Sequence, residues 1–285
     1  MDDLCVHRTM TLFEWIELAA TLDVEGLELY DGFLVSFEQA YLERVREAIF
    51  RRGLAMPMLC FSPDFTQRDP DARREEVART RRAVDLAAFF GAVTCRVLSG
   101  QARPGITREE GVRWTVECLR ALLPHAAAKG VVLAMENHYK DGYWRYREFA
   151  QRMELFLEIL SHVESSALRV NYDPSNALVA GDDPLALLRA VKDRVVTMHA
   201  SDRYLVSGNL DDLRHADGTL GYVTALKHGV IGRGLNDYDA IFSILAEAGF
   251  DGWISIEDGD GGMEELRESV AFLREKMARH FPARA

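Results

Sequence analysis

Cysteine is scarce and carries no pattern: Cys5, Cys60, Cys95 and Cys118 are the only four in 285 residues, and no two are spaced as CxxC. That excludes a disulfide framework or a thiolate zinc site as the organising feature. Three of the four lie in or at the end of apolar strand-like runs, where a free thiol behaves as a small hydrophobe and suits a reducing cytoplasm. Basic charge is in deficit, with 34 Lys and Arg against 45 Asp and Glu and a formal net charge of −11. A long phosphate backbone would be repelled, so nucleic acid is not an expected partner. No apolar run approaches the length of a bilayer span, and the N-terminal stretch lacks a basic-then-apolar signal pattern, so membrane association is not expected and the cytoplasm is the expected location. Neither GxGxxG nor GxxxxGK[ST] follows the first predicted strand, which removes the usual phosphate-cradling loops of open doubly wound sheets.

What the chain does contain is an alternation of short apolar runs with capped amphipathic stretches. Predicted strands fall at Leu4 to His7, Val24 to Tyr30, Leu54 to Cys60, Val93 to Leu98, Val131 to Glu136, Leu168 to Tyr172, Val195 to Met198 and Trp253 to Ile256. Between them, capping-box patterns at Thr11/Glu14, Ser36/Gln39 and Thr107/Glu110 open helices, as do the Asp-Pro pairs at 69–70 and 183–184. Further helices are expected from about Tyr146 to His162, from an Asn236 cap to Ala248, and from about Met263 to Arg279, while Pro124 is expected to kink the helix that reaches Lys129. Eight strand–helix repeats in a chain of 285 residues predict an α/β fold, a single (β/α)8 TIM barrel over residues 1–285. The segment 201–234 is too long for an ordinary βα connection and reads as an extended loop or lid after the seventh strand.

The second half adds a chemical regularity. Four consecutive predicted strands end at Glu136, Asp173, His199 and Glu257. In a barrel the C-terminal strand ends converge on one mouth, so these four would meet although they are far apart in sequence. Three carboxylates and one imidazole make a hard, oxygen-rich donor set, which selects a divalent cation, Mn²⁺ first, with Mg²⁺ or Co²⁺ as alternatives. Any one of the four alone would read as a mouth residue bonded to a loop; four in succession read as a metal site.

The stretches MENHY, NYDPSNAL, MHASDR and GVIGRGLNDYDAIFSILAEAGFDGWISIED together resemble the xylose isomerase-like TIM-barrel superfamily, in particular its sugar phosphate isomerase and epimerase group. The likeness spans nearly the whole chain. It implies a metal held by Glu136, Asp173, His199 and Glu257, with the two glutamates acting as acid and base on opposite faces of a keto-sugar. It also implies that Arg203 holds a substrate oxygen. The implied activity is sugar isomerisation or epimerisation through removal of a proton α to a carbonyl. Ser201 stands where many members carry a lysine, which weighs against a phosphorylated substrate. The long segment after His199, together with His138 two residues past Glu136, is also similar to catalytic subunits of C-glycoside deglycosidases, and that likeness implies His138 as the base in elimination of an aglycone from a 3-oxo glycoside. A non-catalytic metal-binding scaffold is the third reading. The multi-zinc endonucleases of the superfamily need several ligand histidines and a basic groove, and the acidic balance opposes them.

Other residues carry weaker expectations. Asn137, Asn171 and Asn176 flank the four donors and suit orienting work, with Asn176 also a candidate substrate contact. His7 is expected to line the mouth, and Trp144, with Tyr139 and Tyr143, to offer an apolar wall to a sugar face. Glu28 is expected to pair with a neighbouring arginine, and His215 and His228 to be loop histidines. The expected ligands are a sugar or glycoside and one divalent cation; the expected assembly is a homo-oligomer, or a hetero-oligomer with a small β-subunit in the deglycosidase case.

Overall fold

The computed structural model describes residues 7–209, 225–257 and 261–281. Seven parallel strands form one curled sheet among these residues: β1 (Leu29–Tyr30), β2 (Met58–Cys60), β3 (Thr94–Val97), β4 (Val132–Glu136), β5 (Leu168–Tyr172) and β6 (Val195–Ala200) pair in chain order, and β9 (Trp253–Ile256) then pairs with β6. The skipped pair, β7 (Asp202–Leu205) and β8 (Leu226–Gly229), is an antiparallel hairpin. Helices follow the strands, as the predicted rhythm requires: α1 (Leu12–Ala19), α2 (Gln39–Arg51), α3 (Pro70–Phe90), α4 (Arg108–Ala128), α5 (Met153–Ser161), α6 (Pro174–Ala180), α7 (Pro184–Val191), α8 (Tyr238–Glu247) and α9 (Gly262–His280). The capping boxes at Thr11/Glu14 and Thr107/Glu110 form with both reciprocal bonds, and Asp69 caps α3 with Pro70 in its first turn. Gly91 ends α3 at φ 83°, a left-handed conformation that favours glycine. No helix among the described residues is long and apolar enough to cross a membrane.

Strand alternation divides the core into two layers. Leu59, Cys95, Val97, Leu133, Met135, Val170, Tyr172 and Met198 pack outward against the helices in one large cluster. The alternate positions Tyr30, Met58, Cys60 and Ala134 form a small cluster inside the curl. The inner face therefore passes from apolar side chains to Arg96, Glu136, Asn171 and His199, which are buried polar groups on the same strands. The register sets Glu136 beside Asn171 and His199 beside Ser255, so neighbouring strands present their polar residues at one level.

Several sequence expectations need correction. Of the first predicted strand, Leu4 to His7, residues 4–6 lie outside the described residues and His7 is an exposed bend residue. The second is reduced to Leu29–Tyr30 with an isolated bridge between Gly26 and Ala55. The helix expected from Tyr146 begins only at Met153, because residues 139–150 are tied to the end of β3: Gln101 Oε1 accepts from the Arg145 and Tyr146 amides, and Phe149 N donates to Gly100 O. The Asp182 carboxylate then accepts from Met153 N at 2.8 Å and serves as a remote cap. Pro124 sits inside a helix that continues to Ala128. Asp237, not Asn236, caps α8. The segment 201–234 is a hairpin at both of its ends rather than irregular throughout, anchored by Asp202, whose carboxylate accepts from the amides of Arg203, Gly232, Gly234 and Asn236. His215 lies outside the described residues.

Candidate metal centre

Glu136 ends β4, Asp173 follows β5 as the cap of α6, His199 lies in β6 and Glu257 follows β9. One ligand atom from each of the four lies within 4.8 Å of the others. His199 Nδ1 is 3.2 Å from both Glu136 Oε1 and Glu257 Oε2. Each position is fixed by backbone. Glu257 N donates to Ala200 O at 2.8 Å, continuing the β6–β9 ladder beyond the strand. Asp173 exchanges two bonds with Asn137, whose Nδ2 donates to Asp173 O and whose Oδ1 accepts from Asp173 N. Asp173 Oδ1 accepts from Asn176 N and from the Ser201 hydroxyl, while Oδ2 accepts no hydrogen bond from any described residue. Ser201, at the position where a lysine is common in the resembled group, thus holds a carboxylate.

Three carboxylates at this distance repel one another. Burial, and then the charges of Glu257 and Glu136, push the Asp173 carboxyl well above the carboxylate range. Burial opposes the charge on His199, but Glu136, Glu257 and Glu28 outweigh it and raise the imidazole well above its ordinary value. Burial would also raise Glu136, yet His199, His138 and Arg96 hold it low, and His199 does the same for Glu257. The cluster therefore retains protons on Asp173 and His199 that a cation would displace, and its oxygen-rich donors suit a hard or intermediate divalent ion.

Two neighbours were not assigned to the site from sequence. Arg96, inward on β3 and 5 % exposed, brings Nε to 3.1 Å from Glu136 Oε2 and Nη1 to 2.9 Å from Ser62 Oγ. The signal was a lone arginine within the apolar run Val93 to Leu98, a position that a buried carboxylate alone can justify. Glu28 pairs with no arginine among the described residues: its Oε2 is 3.0 Å from His199 Nε2, and its Oε1 accepts from the Ser255 hydroxyl.

The remaining predicted residues divide into those at the centre and those away from it. Asn176 Nδ2 donates to Glu136 Oε1 at 3.2 Å. Asn171 is fully buried, and neither of its side-chain polar atoms has a hydrogen-bond partner among the described residues. His138 is buried and stacks on Tyr139 at 5.0 Å; its Nδ1 has no partner among the described residues, and burial, reinforced by Arg96, holds it below its ordinary value against the pull of Glu136. Arg203 is 1 % exposed, donates through Nη2 to His228 Nε2 at 3.0 Å and lies over the Tyr139 ring at 5.5 Å. Its Nε and Nη1 have no partner among the described residues. His228 is therefore tied to Arg203 through the hairpin and is not a loose loop histidine. Trp144 is half-buried in the turn that follows Asp141, and His7 is exposed, with no hydrogen bond or ion pair to the centre among the described residues.

The sequence profile of the xylose isomerase-like TIM barrel matches residues 16–276. An inosose dehydratase of Lacticaseibacillus casei is 25 % identical over 158 residues, a match covering 54 % of this chain and 49 % of that protein, so the chain spans about half the length of that curated relative. Among solved structures, the IolI protein with a bound zinc atom superposes with a TM-score of 0.76 at 18 % identity, covering 96 % of this chain and 95 % of that one. The 3-keto-D-glucoside 4-epimerase of E. coli superposes with a TM-score of 0.70 at 17 % identity, covering 93 % and 94 %. Those two likenesses speak to the fold, and the profile match, which spans most of the chain, shows its family: it belongs to the xylose isomerase-like TIM-barrel family.

Proposed function

We propose that this chain removes the proton α to a carbonyl group of a keto-sugar, with one divalent cation held by Glu136, Asp173, His199 and Glu257, and that it is an isomerase or epimerase of free sugars. The observation that carries the reading is the convergence of those four donors within 4.8 Å at the sheet's C-terminal edge. A bound cation supplies Lewis-acid polarisation of the carbonyl oxygen and lowers the cost of the charge that develops there. Glu257 is the base: its side chain is 47 % exposed, the most accessible of the four, and His199 keeps it ionised. Arg203, buried and with Nε and Nη1 unpartnered among the described residues, offers a charged contact to a substrate oxygen. Returning the proton to the same carbon gives epimerisation, and delivering it to the neighbouring carbon gives aldose–ketose exchange.

Elimination from a 3-oxo glycoside is the second reading, and one contact favours it. Epimerisation at a single carbon needs a proton carrier on each face, but Glu136 has one oxygen on Arg96 and the other on Asn176 and His199. A carboxylate so engaged is a poor base. Elimination needs one base and a leaving group, and the buried His138 Nδ1, without a partner among the described residues, is available for the proton. The curated relative named as an inosose dehydratase is in keeping with an elimination.

Incubating the Mn²⁺-loaded protein in D₂O with free ketoses and, separately, with 3-oxo glycosides tests both. Deuterium in a ketose with a new stereoisomer establishes the first reading, and Glu257→Gln should then abolish the exchange. Aglycone released from the 3-oxo pool alone establishes the second and directs mutation to His138. No exchange and no release from either pool, with the ion bound, would sink both.

A further inference from the structure

His199 faces carboxylates on both of its nitrogens. Nδ1 is 3.2 Å from Glu136 and Glu257, on the side of the four converging donors, while Nε2 is 3.0 Å from Glu28 Oε2. Glu28 comes from the residue before β1, on the other side of the curl in sequence, and is itself fixed: Ser255 Oγ donates to its Oε1, and Cys60 Sγ lies 3.9 Å from its Oε2. Ser255 pairs in register with His199 across β6 and β9, so the hydroxyl that holds Glu28 lies on the strand next to the ring.

We propose that Glu28 is a positioning residue, which fixes His199 in the form that carries its proton on Nε2 and presents the Nδ1 lone pair to the cation. The inference rests on the reading that a cation binds the four converging donors. A neutral imidazole has one N–H and one acceptor nitrogen, and an ionised carboxylate can only accept. Glu28 therefore holds the proton on Nε2, and Nδ1 is left as the donor to the cation. The same bond stops the ring rotating and makes Nδ1 more basic, the work that a carboxylate behind a ligating histidine does in metal sites generally. Glu28, Cys60 and His199 also offer three ligand atoms within 4.8 Å of one another, but a cation there would have to displace the proton between Glu28 and His199.

Titration calorimetry of the chelator-stripped protein with Zn²⁺ and with Mn²⁺ tests this without reference to turnover. The wild type should bind one ion per chain. Glu28→Gln keeps an acceptor oxygen but no charge and should bind about tenfold more weakly; Glu28→Leu should lose about a hundredfold, the range that such outer partners command. Both should melt in chelator close to the wild type. In the Zn²⁺-loaded wild type, nitrogen-15 spectra should show a slowly exchanging imidazole N–H assigned to Nε2 of His199, which Glu28→Leu removes. Wild-type affinity in Glu28→Leu overturns the proposal while leaving the cation reading intact. Two ions per chain, with the second lost in Cys60→Ser, overturns it in favour of a second cation. No ion bound by the wild type removes the cation reading, and this inference with it. Should the Glu28 variants fail to fold, Ser255→Ala decides: it leaves Glu28 in place but loose and should weaken binding several-fold, and unchanged affinity counts against the clamp.

Discussion

At the scale of single residues, the buried charges determine what can be changed. Arg96 and Glu136 are 5 % and 1 % exposed and face each other at 3.1 Å. Arg96→Met leaves Glu136 without its guanidinium partner and should lower unfolding free energy by about 3–5 kcal/mol in urea titrations of the metal-free protein, with less loss when Mn²⁺ is present. An unchanged midpoint would show that Glu136 finds another partner. Glu148 offers a pH-dependent test away from the centre. Burial pushes its carboxyl up to about 8 from an ordinary 4.5, although the Ser99 hydroxyl and amide both donate to Oε1. Below pH 4.5 the folded and unfolded chains both hold the proton, and Glu148 contributes no pH dependence. Between 4.5 and 8 the folded chain keeps a proton that the unfolded chain releases, so stability falls as pH rises, by up to ~1.4 kcal/mol per unit. Glu148→Gln mimics the neutral acid, so its melting temperature should rise relative to the wild type from pH 5 to pH 8; parallel curves would refute the shift. Sequence pointed to the four strand-end donors because each interrupts or ends an apolar run. It did not point to Arg96 or to the partner of Glu28, because each is explained only by a side chain far away in sequence, 40 residues on for Arg96 and 171 for Glu28.

At the scale of elements, what sequence shows is what local forces decide. Two of the three expected capping boxes and both Asp-Pro pairs start α1, α3, α4 and α7 where they were expected, since the bonds that make them lie within three residues of each other, whereas the Ser36/Gln39 box does not form and α2 follows Glu38 without a side-chain cap. The start of α5 was misplaced by seven residues because its cap, Asp182, is 29 residues away, and because the preceding loop is held by the ends of β3 and not by its own propensity. The short helix α6 was missed because its apolar residues lie too close to β5 to show a period. The β6–β9 pairing gives the corresponding test. A Cβ placed on Gly252 would lie 1.9 Å from Val196 O, a backbone atom that cannot step aside without moving β6. Gly252→Ala should cost about 1–3 kcal/mol of stability. It should also weaken metal binding, because β9 carries Glu257 against His199; a stability loss with wild-type metal affinity would show that the strand end is held independently of that contact.

At the scale of the whole molecule, the barrel was legible because eight strand–helix repeats leave few alternatives, and the sheet order β1 to β6 then β9 follows from chain order apart from the hairpin that interrupts it. The curl has a thermodynamic consequence. It gathers Glu136, Asp173 and Glu257 against one imidazole, and burial together with the charges of Glu257 and Glu136 pushes the Asp173 carboxyl well above its ordinary range. A cation that binds only the folded chain should stabilise it by about 2.7 kcal/mol at a hundredfold excess over Kd. At ~2.1 cal/mol/K of unfolding entropy per residue, a chain of 285 residues should then melt about 4–5 °C higher in Mn²⁺ than in chelator. Asp173→Asn separates this from a nonspecific salt effect, because it should change little in chelator and much in Mn²⁺. In chelator the neutral amide stands in for a carboxyl that burial and the charges of Glu257 and Glu136 push well above its ordinary range, so the variant should melt close to the wild type. In Mn²⁺ it lacks one anionic ligand and should lose most of the increment. Equal shifts in variant and wild type would mean that the ion stabilises the protein from somewhere other than the four strand ends.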